Sequence, residues 1–233
     1  MSSMRRSKQV RGVPIKRIDS KAIPRNMLRL ILFVTLAVMA HGQILRQCRC
    51  AEIEHCTSVS SQTVLECADQ CQRYAGKSGA SYPALRRCYE EMSGPLNSII
   101  QCVKGQLSNS CARYQNPILV RQFHPELFKL SLLRAINEQL RMTGIQHQMA
   151  QFYINDKDYS ECRLKCMSDR TIGCMRNRNC GLDLPNNEIL IQLLKQCAFA
   201  SGMGTEGFRQ LCRCTARAGA RGLAQVCERI IVM

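Results

Sequence analysis

A mainly α fold, built as two disulfide-stapled small helical modules joined by an apolar helical connector, is what this 233-residue sequence predicts. Three observations point there. All 16 cysteines fall into two clusters of eight, Cys48 to Cys111 and Cys162 to Cys227, and the 50 residues between them contain none. Apolar residues recur at helical spacing in both clusters and in the intervening stretch, while strand-like alternation is rare. Ser-, Asn- and Pro-based helix starts stand where the apolar periodicity begins.

Residues 1–42 differ from the rest. Nine Lys or Arg and a single acid, Asp19, precede the apolar run Leu30 to Ala40, which closes on Ala40-His41-Gly42 before Gln43. A basic start, a short apolar core and small residues at the end describe a cleavable secretory signal, with cleavage expected after Gly42. The run is well short of the roughly 20 residues that a membrane span needs, so no membrane span is expected. Met27 would open a conventional signal and is an alternative start. Removing the leader leaves 24 Lys or Arg against 16 acids and halves the net charge from +16 to +8, which removes much of the case for a nucleic-acid partner.

The cysteines are Cys48, Cys50, Cys56, Cys67, Cys71, Cys88, Cys102, Cys111, Cys162, Cys166, Cys174, Cys180, Cys197, Cys212, Cys214 and Cys227. An even count behind a secretory signal reads as an oxidised framework, secreted and extracellular. Zinc is the rival reading. However, Cys48-x-Cys50 and Cys212-x-Cys214 lack the usual ligand spacing, and His55, His124 and His147 form no pair, so no metal or cofactor is expected. The expected division is a first module over 43–111, a connector over 112–161 and a second, basic module over 162–233, with bridges mostly inside each module. The modules also read as distant copies: Cys67-x3-Cys71 matches Cys162-x3-Cys166, and Cys88 to Cys102 matches Cys180 to Cys197.

In the first module Ser60 or Ser61 caps a helix carrying Val64, Leu65, Ala68 and Cys71. Cys67 and Cys71, one turn apart on that helix, point the same way and should bridge to a second helix rather than to each other. Ser93-Gly94-Pro95 opens another helix with Leu96, Ile99, Ile100 and Val103 on one face. In the connector, Pro125 after His124 starts a strongly apolar helix through Leu127, Phe128, Leu130, Leu132, Leu133, Ile136 and Leu140, with Gly144 ending it. A segment with Met149, Phe152, Tyr153 and Ile154 follows, before an expected charged turn at Asp156-Lys157-Asp158. So much apolar surface should dock on a module or on another chain, with Leu130, Leu133, Ile136 and Leu140 as the candidate seam of a dimer. In the second module Leu184-Pro185 and Asn186-Asn187 start a helix through Ile189, Leu190, Leu193, Leu194 and Cys197.

No catalytic signature appears. The sequence lacks a Gly-x-Ser-x-Gly elbow, a phosphate-binding glycine loop and a His-Glu-x-x-His motif, and a cysteine committed to a bridge is no nucleophile, so the chain is read as not an enzyme. The most patterned polar feature is Arg209, Arg213, Arg217 and Arg221, spaced every four residues. On one helix these would form a cationic ridge opposite Phe208, Leu211, Cys212, Thr215, Leu223, Val226 and Cys227. A solvated face is the ordinary reading of such a ridge, and Gly219 and Gly222 are expected points of interruption of the helix, at about 1 kcal/mol each relative to Ala. The functional one is contact with sulfate, carboxylate or phosphate groups of an extracellular polyanion, such as a glycosaminoglycan or anionic lipid head groups. Residues 162–233 carry 11 Lys or Arg against 5 acids, which concentrates the mature charge beside the ridge. Ser201-Gly202-Met203-Gly204, with Glu206 nearby, and Ser93-Gly94, after Glu90 and Glu91, have the form of glycan-attachment sites, although small residues also make turns.

Phe208 through Cys214, with Cys212-Arg213-Cys214 at its end, followed by Gly219, Leu223 and Val226-Cys227, resembles secreted cysteine-rich domains of nematodes, of the chondroitin proteoglycan type 4 kind. The resemblance covers Cys162 to Cys227 best and extends in part to Cys67 to Cys111. It implies an extracellular, noncatalytic module of matrix or eggshell-like settings. The chain departs from a heavily substituted proteoglycan core in lacking a Ser-Gly-rich tract. The expected function is therefore a secreted structural or interaction protein whose partner is an extracellular protein or polyanion. The alternative is a secreted effector or inhibitor acting on a protein target.

Overall fold

The computed structural model describes residues 44–114 and 118–232, so the expected leader, its expected cleavage after Gly42 and Met27 lie outside the described residues. The fold is mainly helical, as expected. Strand β1 (Ile44–Gln47) is followed by a short helix α1 (Glu54–Thr57) and by α2 (Ser61–Gln70). Ser60 caps α2: Thr63 N donates to Ser60 Oγ at 3.5 Å, and Ser60 N donates to Thr63 Oγ1 at 3.2 Å. A 3-10 turn over Gln72–Ser78 stops at Gly79, whose φ is +84°, and α3 (Tyr82–Glu91) and α4 (Ser93–Gln106) complete the first half.

After β2 (Leu119–Arg121), helix α5 (Pro125–Met142) starts at the expected proline and stops before Gly144, which takes φ +67°. Helix α6 (Gln146–Ser168) then runs through a π-helical turn at Asp169–Gly173 into the short helix α7 (Cys174–Arg176). The charged turn expected at Asp156-Lys157-Asp158 is instead helix. No Gly or Pro interrupts 146–168, and the Ser160 hydroxyl donates to Asp156 one turn away while Asp158 pairs with Lys77. Strand β3 (Cys180–Gly181), α8 (Asn187–Ala200) and α9 (Thr205–Arg217) close the chain. Asn186 caps α8, with Ile189 N donating to its Oδ1 at 2.9 Å. The three strands form one small sheet ordered β2-β1-β3, in which Leu45 faces Val120 antiparallel and Arg46 faces Cys180 parallel.

All 16 cysteines are bridged and none is free. The expectation that bridges stay mostly within each module is overturned. Only Cys50–Cys111 and Cys212–Cys227 do so. Six bridges cross between the halves: Cys48–Cys180, Cys56–Cys174, Cys67–Cys166, Cys71–Cys162, Cys88–Cys214 and Cys102–Cys197. The reason lies in helix geometry. Cys67 and Cys71 on α2, and Cys162 and Cys166 on α6, are each one turn apart, and two helices lying antiparallel bring both pairs into register as two rungs. The segments expected as modules 43–111 and 162–233 are thus interleaved, and the described residues lie in one compact unit.

Two apolar clusters lie around these bridges. The larger holds Cys71, Leu85, Cys88, Ile145, Tyr159, Cys214, Leu223 and Val226. The smaller, near the sheet, holds Cys48, Ile53, Cys56, Met175 and Cys180. The halves also meet through backbone. Ser81 N donates to Ala218 O at 2.7 Å, and a Cβ on Gly219, at φ +125°, would stand 2.3 Å from Gly79 O. Only glycine fits there.

Candidate interaction surfaces

The arginine row does not survive as one ridge. Gly219 ends α9 with its left-handed φ, so Arg221 leaves the helix and begins a 3-10 turn. Arg209 Nε donates to Ile230 O at 3.0 Å. Arg213 is held by two carboxylates: its Nε and Nη2 donate to Glu228 Oε1 and Oε2 at 2.6 and 2.7 Å, and its Nη1 donates to Glu206 Oε1 at 2.8 Å. The Arg213 guanidinium holds the Glu228 carboxyl below its ordinary range, and both carboxylates raise Arg213. Arg217 and Arg221 remain exposed. Two arginines of the row therefore clamp the C-terminal segment onto α9, and two face solvent. The periodicity in the sequence could not separate them, because Glu228 and Ile230 reach α9 only after the chain reverses.

A second cationic surface was not foreseen. An open depression of about 340 Å³ is lined by Arg49, Cys50, Ala51, Ala112, Arg113 and Tyr114, and Tyr114 is 86% exposed. The Cys50–Cys111 bridge and the backbone bond from Cys50 N to Ala112 O at 3.0 Å bring Arg49 and Arg113 to the same depression. Nearby, Arg46 holds Glu52 through Nη1 at 2.5 Å, and that hydrogen bond is the main cause lowering the Glu52 carboxyl.

Of the two candidate glycan sites, only the one at Ser201 has a structural use for its small residues. Ser201 caps the C-terminal end of α8, and Gly202 takes φ +80° in the turn to α9. A Cβ on Gly204 would stand 3.2 Å from the Phe199 ring, and one on Gly207 would stand 2.4 Å from Gly202 O. Ser93 opens α4, and Gly94 has open space around it.

The four residues of the expected dimer seam also divide. Leu130 and Leu133 are exposed, Ile136 is half-buried, and Leu140 packs on the larger core. Six residues along a helix turn the side chain by about 120° from its start, so Ile136 cannot share a face with Leu130.

A partly buried polar cluster on α6 was also missed. Along α6, Phe152, Asp156, Tyr159 and Arg163 share one face at alternating four- and three-residue steps. The Arg163 guanidinium lies 4.4 Å from the Tyr159 ring centre and 5.3 Å from that of Tyr89, and its Nη1 donates to the Tyr89 hydroxyl at 3.2 Å. Burial raises Tyr159 and Asp156, the latter against the hydroxyl of Ser160 and the charge of Arg163. Tyr159 Oη and Arg163 Nε have no hydrogen-bond partner.

Among the described residues, two groups have the proximity of metal ligands, His55 with Cys56 and Cys174, and Cys48 with Glu52 and Cys180. In both, the two sulfurs are joined as a disulfide and present no thiolate. No helix among the described residues is long and apolar enough to cross a membrane. The chain matches no family model, no curated protein and no solved structure.

Proposed function

We propose that the protein is a secreted, noncatalytic structural or interaction protein of the extracellular space that contacts polyanions such as glycosaminoglycans. The observation that carries this reading is the bridging of all sixteen cysteines, six bridges binding the two halves together. Such a framework persists in oxidising surroundings and resists the proteolysis and dilution met there. The chondroitin-proteoglycan-like resemblance of the last cysteines is in keeping with a matrix setting.

For the polyanion contact, support comes from guanidinium groups left facing water. Arg217 and Arg221 form one set, and Arg49 and Arg113 beside the exposed ring of Tyr114 form another. An aromatic face next to two cations suits a sulfated or carboxylated sugar, whose ring stacks while its anions pair.

Heparin affinity tests this directly. The secreted protein should be retained at low salt. Arg217→Ala with Arg221→Ala, and Arg49→Ala with Arg113→Ala, should each move elution to lower salt, whereas Arg213→Ala should lower thermal stability more than it moves elution. Flow-through of the wild-type protein at low salt would remove the polyanion contact and leave the structural reading.

A further inference from the structure

Helix α5 is amphipathic toward two sides, and only one of them is covered. Its 18 residues include none that is buried. Lys129 reaches Glu161 of α6 at 3.7 Å, and Asn187 of α8 donates to Ser131 Oγ at 3.3 Å, so α5 is seated on a helix to either side. The side turned away carries Glu126, Leu127, Leu130, Leu133, Arg134 and Asn137, all exposed. At 100° per residue these six fall within an arc of about 120° with Leu130 near its middle. Leu127, Leu130 and Leu133 are 56, 62 and 43% exposed, in a protein whose other leucines mostly have neighbours.

The charges on this side have a pattern that the leucines alone would not supply. Glu126 stands four residues before Leu130 and Arg134 stands four after it, and neither has an ion-pair partner among the described residues. Leu127 and Leu133 are likewise placed three before and three after. When two such helices lie antiparallel about a two-fold axis through Leu130, each residue meets the one at equal distance on the far side of the centre. Leu130 meets the partner's Leu130, Leu127 meets the partner's Leu133, and Glu126 meets the partner's Arg134. The self-complementarity that a two-fold interface requires is thus written along one helix.

We infer that this face of α5 binds a second copy of the same chain, giving an antiparallel two-fold helix pair with Leu127, Leu130 and Leu133 at its centre and Glu126–Arg134 ion pairs at both ends. A parallel pairing would set Glu126 against Glu126 and Arg134 against Arg134, which repel. The inference is independent of the polyanion contact, whose arginines lie elsewhere, and it replaces Ile136 and Leu140 of the expected seam by Glu126, Leu127 and Arg134. For an interaction protein the consequence is bivalency: two copies present each surface twice, and paired weak contacts gain avidity.

The test is sedimentation of the secreted protein over a concentration series, with four variants whose bridges are checked by non-reducing mass and whose fold is checked by thermal melting. The wild type should dimerise reversibly. Leu130→Asp should raise the dimer Kd by at least about tenfold. Glu126→Arg and Arg134→Glu should each weaken the dimer, because each sets like charges together at both ends, and the double swap Glu126→Arg with Arg134→Glu should restore it. A wild-type monomer at every concentration overturns the inference. So does a dimer indifferent to Leu130→Asp, or one that the double swap fails to recover.

Discussion

At the scale of single residues, the carboxylates of this protein pull stability in opposite directions as pH changes. Asp69 accepts from Arg86 Nε at 2.8 Å and from the Tyr82 hydroxyl at 2.5 Å, and these bonds, Arg86 first, lower its carboxyl. A lowered carboxyl contributes stability above its unfolded value of about 3.9, and that contribution is lost as pH falls through the folded value. Asp69→Asn should therefore lower the melting temperature near neutrality and make little difference in strong acid. Asp156 has the opposite sign. Burial raises it, so its contribution is complete below the unfolded value and lost as pH rises through the folded one. Asp156→Asn, which leaves an oxygen to accept from Ser160, should raise the melting temperature near neutral pH and lose that gain as the pH approaches the ordinary carboxyl range. A melting series from acid to neutral pH checks both, and two variants shifting with the same sign would break the assignment.

At the scale of elements, what the sequence made legible was whatever depends on neighbours along the chain. Ser60, Asn186, Pro125 and Gly144 start or stop helices where they were expected to, because capping groups act within four residues. Cys67 and Cys71 reach a second helix for the same local reason, as one-turn spacing fixes a shared face. The run through Asp156-Lys157-Asp158 was misread because charge density stood in for a helix breaker, when only Gly or Pro would have supplied one. The arginine row failed differently. Its period is truly helical, but Gly219 lies inside it, and a glycine pressed against Gly79 from the other half stops the helix before Arg221. That contact gives a prediction at this scale. Gly219→Ala adds a methyl where 2.3 Å is available and forces φ out of the left-handed region, so it should cost about 1–3 kcal/mol in a denaturant titration. Gly94→Ala, with nothing within 4 Å of the new Cβ and a helical backbone, should be neutral or mildly stabilising.

At the scale of the whole molecule, the pairing of cysteines was not legible, because spacing tells which sulfurs share a face and not which face they meet. The matching of the two halves nonetheless has a structural counterpart. Cys102 and Cys197, which occupy matching positions, are bridged to each other, and Cys67 and Cys71 are bridged to Cys166 and Cys162, the crossed partners of their own matches. Helix α2 lies on α6 and α4 lies on α8, so the matched segments pack against one another as two copies would in a dimer. A measurable consequence follows from the topology of the bridges. Every crossing bridge joins a cysteine at or before Cys102 to one at or after Cys162, so a single peptide cut between Cys111 and Cys162 severs no bridge and leaves the halves tied by six. Limited proteolysis in that interval should give one species of unchanged size without reductant and two fragments with it. Bridges confined to each cluster would instead release both fragments in denaturant alone. The nicked protein should also unfold as one cooperative unit, since the cut leaves the two cores and their cross-links in place.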